Sequence, residues 1–217
     1  MKIKAIFYDF DGVIKDSTNI KSKAFYDLYA PFGDEIANKV AKYHLENGGI
    51  SRFEKIKYFH QEFLKINLSE QEIAEWADKF SALVLQNVIE SNYVFGALES
   101  IKTLANQYQQ FIITGTPQNE IEFICEKSNI STYFVEICGS PKNKISWCNE
   151  LIKKHQLNSN EIVFIGDATT DFEAAEACKL HFILREHEEN EKLFSTKDIV
   201  KVKDLNNLAE VIKNNLS

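Results

Sequence analysis

Asp9-Phe10-Asp11-Gly12 follows directly on a short apolar run, Ile3 to Tyr8, and that junction narrows the folds open to the chain. The run is rich in β-branched and aromatic residues and breaks off at two acids and a glycine, the pattern of a buried strand entering a loop. Comparable runs recur at Phe111 to Ile113, Phe134 to Ile137, Ile162 to Ile165 and Phe182 to Leu184. Helical patterns separate the later ones. Thr116-Pro117 offers an N-cap with proline at the first helical position, and Thr170 with Glu173 forms a capping-box pattern. Strands alternating with helices predict an α/β, Rossmann-like core whose mostly parallel sheet is covered on both faces.

From about Ser17 to Val88 the alternation stops, and apolar residues recur at helical spacing. Ser69-Glu70-Gln71-Glu72 is a capping box that opens a helix over Ile73 to Ile89, and Gly48-Gly49 is the clearest breaker in the stretch. The expectation is an inserted α-helical cap of about four helices at 16–89, on a core made of 1–15 and 90–217. The aromatic residues of the insertion, from Phe25 to Phe80, read as the core of a helical bundle. Ile199 to Val202 and then Asp204 to Leu216 read as a final strand and helix.

Composition excludes several function classes. A net charge of -7 lacks the clustered Lys and Arg that nucleic acid or an anionic membrane surface would require, so a small-molecule partner is expected. The apolar stretch at the amino terminus is too short for a signal-peptide core, and no later run reaches membrane-spanning length, which leads us to expect a cytoplasmic protein, monomeric or a small homo-oligomer. Cys125, Cys138, Cys148 and Cys178 lack metal-site spacing and read as buried thiols. His60, His155, His181 and His187 show no metal-ligand spacing either, and the acidic run Glu186 to Glu191 reads as a solvated turn or short helix.

The chemistry is concentrated at the strand ends, where open parallel sheets bind ligands. Asp9 and Asp11 project the same way from an extended chain, so one carboxylate suits a nucleophile or metal ligand while the other handles protons. Thr114-Gly115-Thr116 presents a hydroxyl and backbone N–H groups just before a helix, a cradle for phosphate. Lys144 opens a later helix, where its charge can neutralise a transferring phosphoryl group; it is preferred to Lys142 because an apolar helical pattern follows it at once. Gly166-Asp167-Ala168-Thr169-Thr170-Asp171 adds two acids one helical turn apart, and with Asp9 they form the all-oxygen set that Mg²⁺ favours. Singly, each motif has an ordinary explanation: a cap, a turn, a solvated lysine.

Together and in this order, Asp9-Phe10-Asp11-Gly12-Val13, Thr114, Lys144 and Gly166-Asp167-x-x-x-Asp171 resemble the four motifs of the haloacid dehalogenase superfamily. The resemblance covers essentially the whole chain, and the insertion falls where members with a small helical cap carry theirs. Within the superfamily the chain is similar to phosphoglycolate phosphatases and β-phosphoglucomutases. The resemblance implies a phosphatase in which Asp9 attacks phosphorus and Asp11 protonates the leaving group and then activates water. It also implies Mg²⁺ held by Asp9, the Asp11 carbonyl and Asp167, with Asp171 as a further ligand or a support behind them, and Thr114, Gly115 and Lys144 on the phosphate. Asp11 argues against a dehalogenase, which has no alkoxide to protonate, and against a phosphonate hydrolase, which has a small residue there.

The expected substrate is a small phosphorylated metabolite such as a sugar phosphate. The alternatives are a phosphosugar mutase of the β-phosphoglucomutase type, which uses the same acid pair, and a non-catalytic binding module with the same fold. In the insertion, the turn around Gly48-Gly49 places His44, Arg52 and Lys55 as candidates for reading the substrate, with Arg52 as a clamp on a second anionic group. The opposing reading makes Arg52 and Lys55 solvated helix charges and His44 a packing residue.

Overall fold

The computed structural model describes residues 2–216, so the outermost limits expected for the core, 1 and 217, lie outside the described residues. One parallel sheet is built from β1 (Ala5–Tyr8), β2 (Gln109–Pro117), β3 (Glu136–Ser140), β4 (Ile162–Gly166), β5 (His181–Arg185) and β6 (Val200–Val202). Their spatial order is β3-β2-β1-β4-β5-β6. The chain therefore steps outward from β1 on one side and returns to β4 on the other, and such a reversal opens a crevice at the carboxyl ends of the central strands. Tyr8 stands level with Ile112 of β2 and Ile165 of β4, and the Asp9 amide donates to the Ile165 carbonyl at 2.9 Å. The strand-end motifs are thereby brought to one edge by register alone.

Alternation along β1 divides the core. Ile6 and Tyr8 join the cluster that extends under the helical insertion, while Ala5 and Phe7 join a second cluster with Phe111, Phe164, Cys148 and Leu151. All four cysteines are buried and unbridged.

Between β1 and β2 run α1 (Thr18–Tyr29), α2 (Asp34–Glu46), α3 (Arg52–Tyr58), a π-helical turn at Phe59–Leu64, α4 (Glu70–Glu90) and α5 (Ala97–Leu104). The Ser69–Glu72 capping box forms, and α4 buries Ile73, Ala77, Phe80, Val84 and Val88, a single stripe at helical spacing. Phe25 of α1 meets Phe80 with ring centroids 4.0 Å apart and Phe59 edge-on at 5.5 Å. The chains entering and leaving the insertion lie side by side. The Asp16 amide donates to the Asn92 carbonyl at 2.9 Å, and the buried Lys15 ammonium donates to the Ile89 and Ser91 carbonyls at 3.0 and 2.7 Å.

The remaining helices are α6 (Gln118–Lys127), α7 (Lys144–Lys154), α8 (Thr169–Cys178) and α9 (Leu208–Leu216). Two helix starts differ from expectation. Thr116 does not cap α6 but stays extended in β2, because its hydroxyl is engaged by Lys21 and Asp11; Pro117 occupies the cap position. Likewise α8 starts at Thr169, so the reciprocal contact falls to Asp171, whose carboxylate accepts from the Ala168 and Asp167 amides at 3.0 and 3.2 Å. Thr170 is left free to donate to the Gly48 carbonyl at 3.0 Å.

Candidate active site

Asp9 leaves β1 fully within the crevice, 3% exposed, and its neighbours set its chemistry. Lys144 Nζ lies 3.0 Å from Asp9 Oδ1 as a buried ion pair. Burial and the Asp171 charge push the Asp9 carboxyl up to about 7, against the pull of Lys144. The Lys144 ammonium also binds Asp171 Oδ1 at 2.5 Å, and although burial disfavours its charge, Asp171 and Asp9 together raise its pKa. Lys142, by contrast, sits over the Trp147 ring at 3.6 Å and pairs with Glu150 at 2.5 Å, away from these acids.

Carboxylate oxygens of Asp9, Asp167 and Asp171 lie within 4.8 Å of one another, all buried. Burial first, then Asp9, raises the Asp167 carboxyl. Three buried acids at this spacing repel, and such an arrangement is stable only beside compensating positive charge. Asp171 has both oxygens engaged, by Lys144 and by two amides, whereas Asp9 Oδ1 faces the Lys144 ammonium. Gly12, at φ +77°, makes this proximity possible: a Cβ there would come within 2.1 Å of Asp167 Oδ2.

Asp11 is gripped by the Lys21 ammonium, by the Ser17 hydroxyl at 2.6 Å and by the Thr116 hydroxyl at 3.2 Å. Burial alone would raise its pKa; Lys21 and these hydrogen bonds outweigh burial and hold it below the ordinary carboxylate value. Thr114, 2% exposed, and Gly115 line two adjoining cavities, one shared with Asp9 and Asp11 and the other with Lys144. The insertion closes this space. Gly49 (φ +77°) sits so low that a Cβ would fall 2.0 Å from Thr170 Oγ1 and 3.1 Å from Lys144 Nζ.

In the insertion, the structure overturns the reading of Arg52 and Lys55 as solvated charges. Arg52 is 4% exposed and Lys55 2%, so neither is a solvated helix charge. Arg52 is not a free clamp either, because its guanidinium binds both Glu120 oxygens at 2.8 and 2.5 Å and Ser81 at 2.5 Å, and lies 4.7 Å from the Phe80 ring centroid. Lys55 Nζ meets His44 Nδ1 at 2.8 Å, and both side chains line the cavity that holds Asp9 and Asp11.

Two site residues escape the sequence reading. Lys21 shares the buried stripe of α1 with Phe25 and Tyr29 at four-residue spacing, and a lysine on an apolar stripe is the signal that marks it. His187 belongs to the acidic run expected to be a solvated turn or short helix. Instead it follows β5 and places Nε2 2.9 Å from Asp167 Oδ2 and Nδ1 2.6 Å from Glu189, which in turn accepts from Asn19 of α1 at 3.0 Å. Its signal is a position just past a fifth strand end. Burial works against the His187 charge, but Asp167 and Glu189 raise its pKa overall.

Comparison with known proteins agrees with this geometry. The chain is 34% identical over 80 residues to a phosphoglycolate phosphatase of Photobacterium profundum, a stretch that spans 33% of this chain and 34% of that protein. It is 22% identical over 184 residues to the phosphoglycolate phosphatase of Vibrio parahaemolyticus, covering 80% of this chain and 79% of that one. The fold matches a β-phosphoglucomutase from Clostridium difficile with a TM-score of 0.76 at 21% identity, over 97% of this chain and 96% of the other. Residues 6–184 match the haloacid dehalogenase-like hydrolases, a span that runs from β1 to β5 and takes in every strand-end motif described above, and the chain belongs to that family.

Proposed function

We propose that the protein is a Mg²⁺-dependent phosphatase that hydrolyses a small phosphorylated metabolite through a phosphoaspartyl intermediate on Asp9. The observation that carries this is the cluster of Asp9, Asp167 and Asp171 carboxylates, buried within 4.8 Å of one another, with the Lys144 ammonium 3.0 Å from Asp9 Oδ1. The residues fit a hard divalent cation: Asp9, Asp167 and the Asp11 carbonyl would hold Mg²⁺, with Asp171 orienting Lys144 and the loop amides. Bound there, the ion would add to the positive charge that Lys144 and His187 bring to the three acids and would supply what phosphoryl oxygens require.

In the first half-reaction the Asp9 carboxylate bonds to phosphorus, the ester P–O bond breaks, and Asp11 gives its proton to the departing oxygen. In the second, Asp11 takes a proton from water, the water oxygen bonds to phosphorus, and the aspartyl–phosphorus linkage breaks to release inorganic phosphate and restore Asp9. Lys21 keeps Asp11 ionised in the resting site, the form the second half requires, so Asp11 must take up a proton as the phosphate ester enters. Lys144, Thr114 and the Gly115 amide hold the phosphoryl oxygens, which is most of what phosphoryl transfer demands.

The mutase reading is the second one, favoured by how closely Gly48 and Gly49 seat on the core, since a site shielded from water returns its phosphoryl group to a second hydroxyl. A panel separates the two. Phosphate release is measured from phosphoglycolate, sugar phosphates and an aryl phosphate, with Mg²⁺ and with chelator, for wild type and Asp9→Asn. Release that needs both Mg²⁺ and Asp9 is expected. Isomerisation of a sugar phosphate without phosphate release would favour the mutase, and turnover retained by Asp9→Asn would remove the nucleophile.

A further inference from the structure

The cavity beside Asp9 and Asp11 is lined by three buried lysine and arginine side chains, and two of them are committed. Lys21 is bound by Asp11 and Thr116, and Arg52 by Glu120 and Ser81. Lys55 differs. It is 2% exposed, and among the described residues its amine has one polar contact, the His44 ring at 2.8 Å, and no carboxylate within ion-pairing distance. An ammonium offers three N–H donors, and at least two here have no protein acceptor.

Resting on the phosphatase reading above, we propose that Lys55, backed by His44, is a seat for a second anionic group on the leaving portion of the substrate, a carboxylate or a second phosphate. Three features support the assignment. A fully buried cation without a counter-charge is tolerated where a ligand supplies one. Burial and the Lys55 charge hold the His44 pKa well below the ordinary histidine value, so the ring adds no second charge beside Lys55, and its Nδ1 lies 2.8 Å from the amine. Finally, the cations of the site already face different groups. Lys144 faces the nucleophile and Lys21 the proton-handling acid, while Lys55 rises from α3 on the insertion side of the same cavity. Burial and Lys21 lower the Lys55 pKa to about 7 while Asp11 pulls it up, and an incoming anion acts in the same sense as Asp11.

Specificity constants (kcat/KM) test this on size-matched pairs: 2-phosphoglycolate against 2-hydroxyethyl phosphate for a carboxylate, and glucose 1,6-bisphosphate against glucose 6-phosphate for a second phosphate. Wild type is expected to prefer the doubly anionic member of at least one pair, and the favoured pair tells carboxylate from phosphate. Lys55→Met is expected to reduce that preference about 10- to 100-fold, the range of one charge-assisted hydrogen bond, mostly through KM, and Lys55→Arg to restore part of it. No preference in wild type, or an equal loss on both members of a pair in Lys55→Met, overturns the seat. Turnover of an aryl phosphate reports the phosphatase reading separately. Calorimetric binding of the same pairs to Asp9→Asn reads the seat even without turnover, and equal affinities within both pairs overturn it. A cooperative melt of Lys55→Met confirms that the variant compared is folded.

Discussion

Lys55 carries a stability consequence separate from its role toward substrate. Its amine is lowered to about 7 in the folded protein by burial and the Lys21 charge, from 10.5 in an exposed lysine. Below pH 7 it is charged in folded and unfolded chains alike, and the full penalty of a buried charge weighs on the fold. Between pH 7 and 10.5 the folded chain binds fewer protons than the unfolded one, so this contribution to stability improves as pH rises, and above 10.5 the penalty is gone. Lys55→Met is therefore expected to be more stable than wild type at pH 6, by a few kcal/mol in order of magnitude, with the gap closing by pH 10. Chemical denaturation at the two pH values reads this, and a gap that is absent or widens toward pH 10 contradicts it. Single residues were legible where chemistry and position coincide, as at Asp9, Asp11 and Asp167, which end strands. They were not legible where long-range packing decides: no local pattern announces that Arg52 reaches Glu120, 68 positions away, or that Lys55 is buried without an acid partner.

Elements carried the sequence signal unevenly, for a physical reason. The α4 helix was readable because its capping box and apolar stripe are local and reinforce one another. The starts of α6 and α8 shifted because Thr116 and Asp171 serve the site, and tertiary contacts with Lys21 and Lys144 override local capping preference. The Gly48-Gly49 breaker separates α2 from α3, as expected, and also seats the insertion on the core, with the Gly48 carbonyl accepting from Thr170. Gly49→Ala puts a methyl against Thr170 Oγ1 and Lys144 Nζ, at a positive φ that alanine disfavours. We expect kcat/KM to fall tenfold or more, roughly the effect of displacing a positioned group, with a melting temperature within a few degrees of wild type. Unchanged kinetics would mean that the insertion does not need to seat there for turnover.

At the scale of the whole molecule, the sheet and the insertion divide the labour. Parallel register at β1, β2 and β4 brings the strand-end acids and the threonine to one edge of the sheet, the edge to which the alternation of strands and helices pointed. The insertion adds Lys21 on Asp11, Arg52 on Glu120 and Asn19 on Glu189, so its position is tied to the proton-handling acid and, through Glu189 and His187, to Asp167. These ties join residues far apart in the chain and have no sequence period, so they were invisible before the fold was known. The central claim is that all of this serves a nucleophilic Asp9, and the direct test is a rapid acid quench of a single turnover with substrate labelled in its phosphoryl group, followed by peptide mapping. Label is expected to appear transiently on the peptide containing Asp9 and to be missing in Asp9→Asn; full hydrolysis with no protein-bound label at any time, or label on another residue, would contradict the claim.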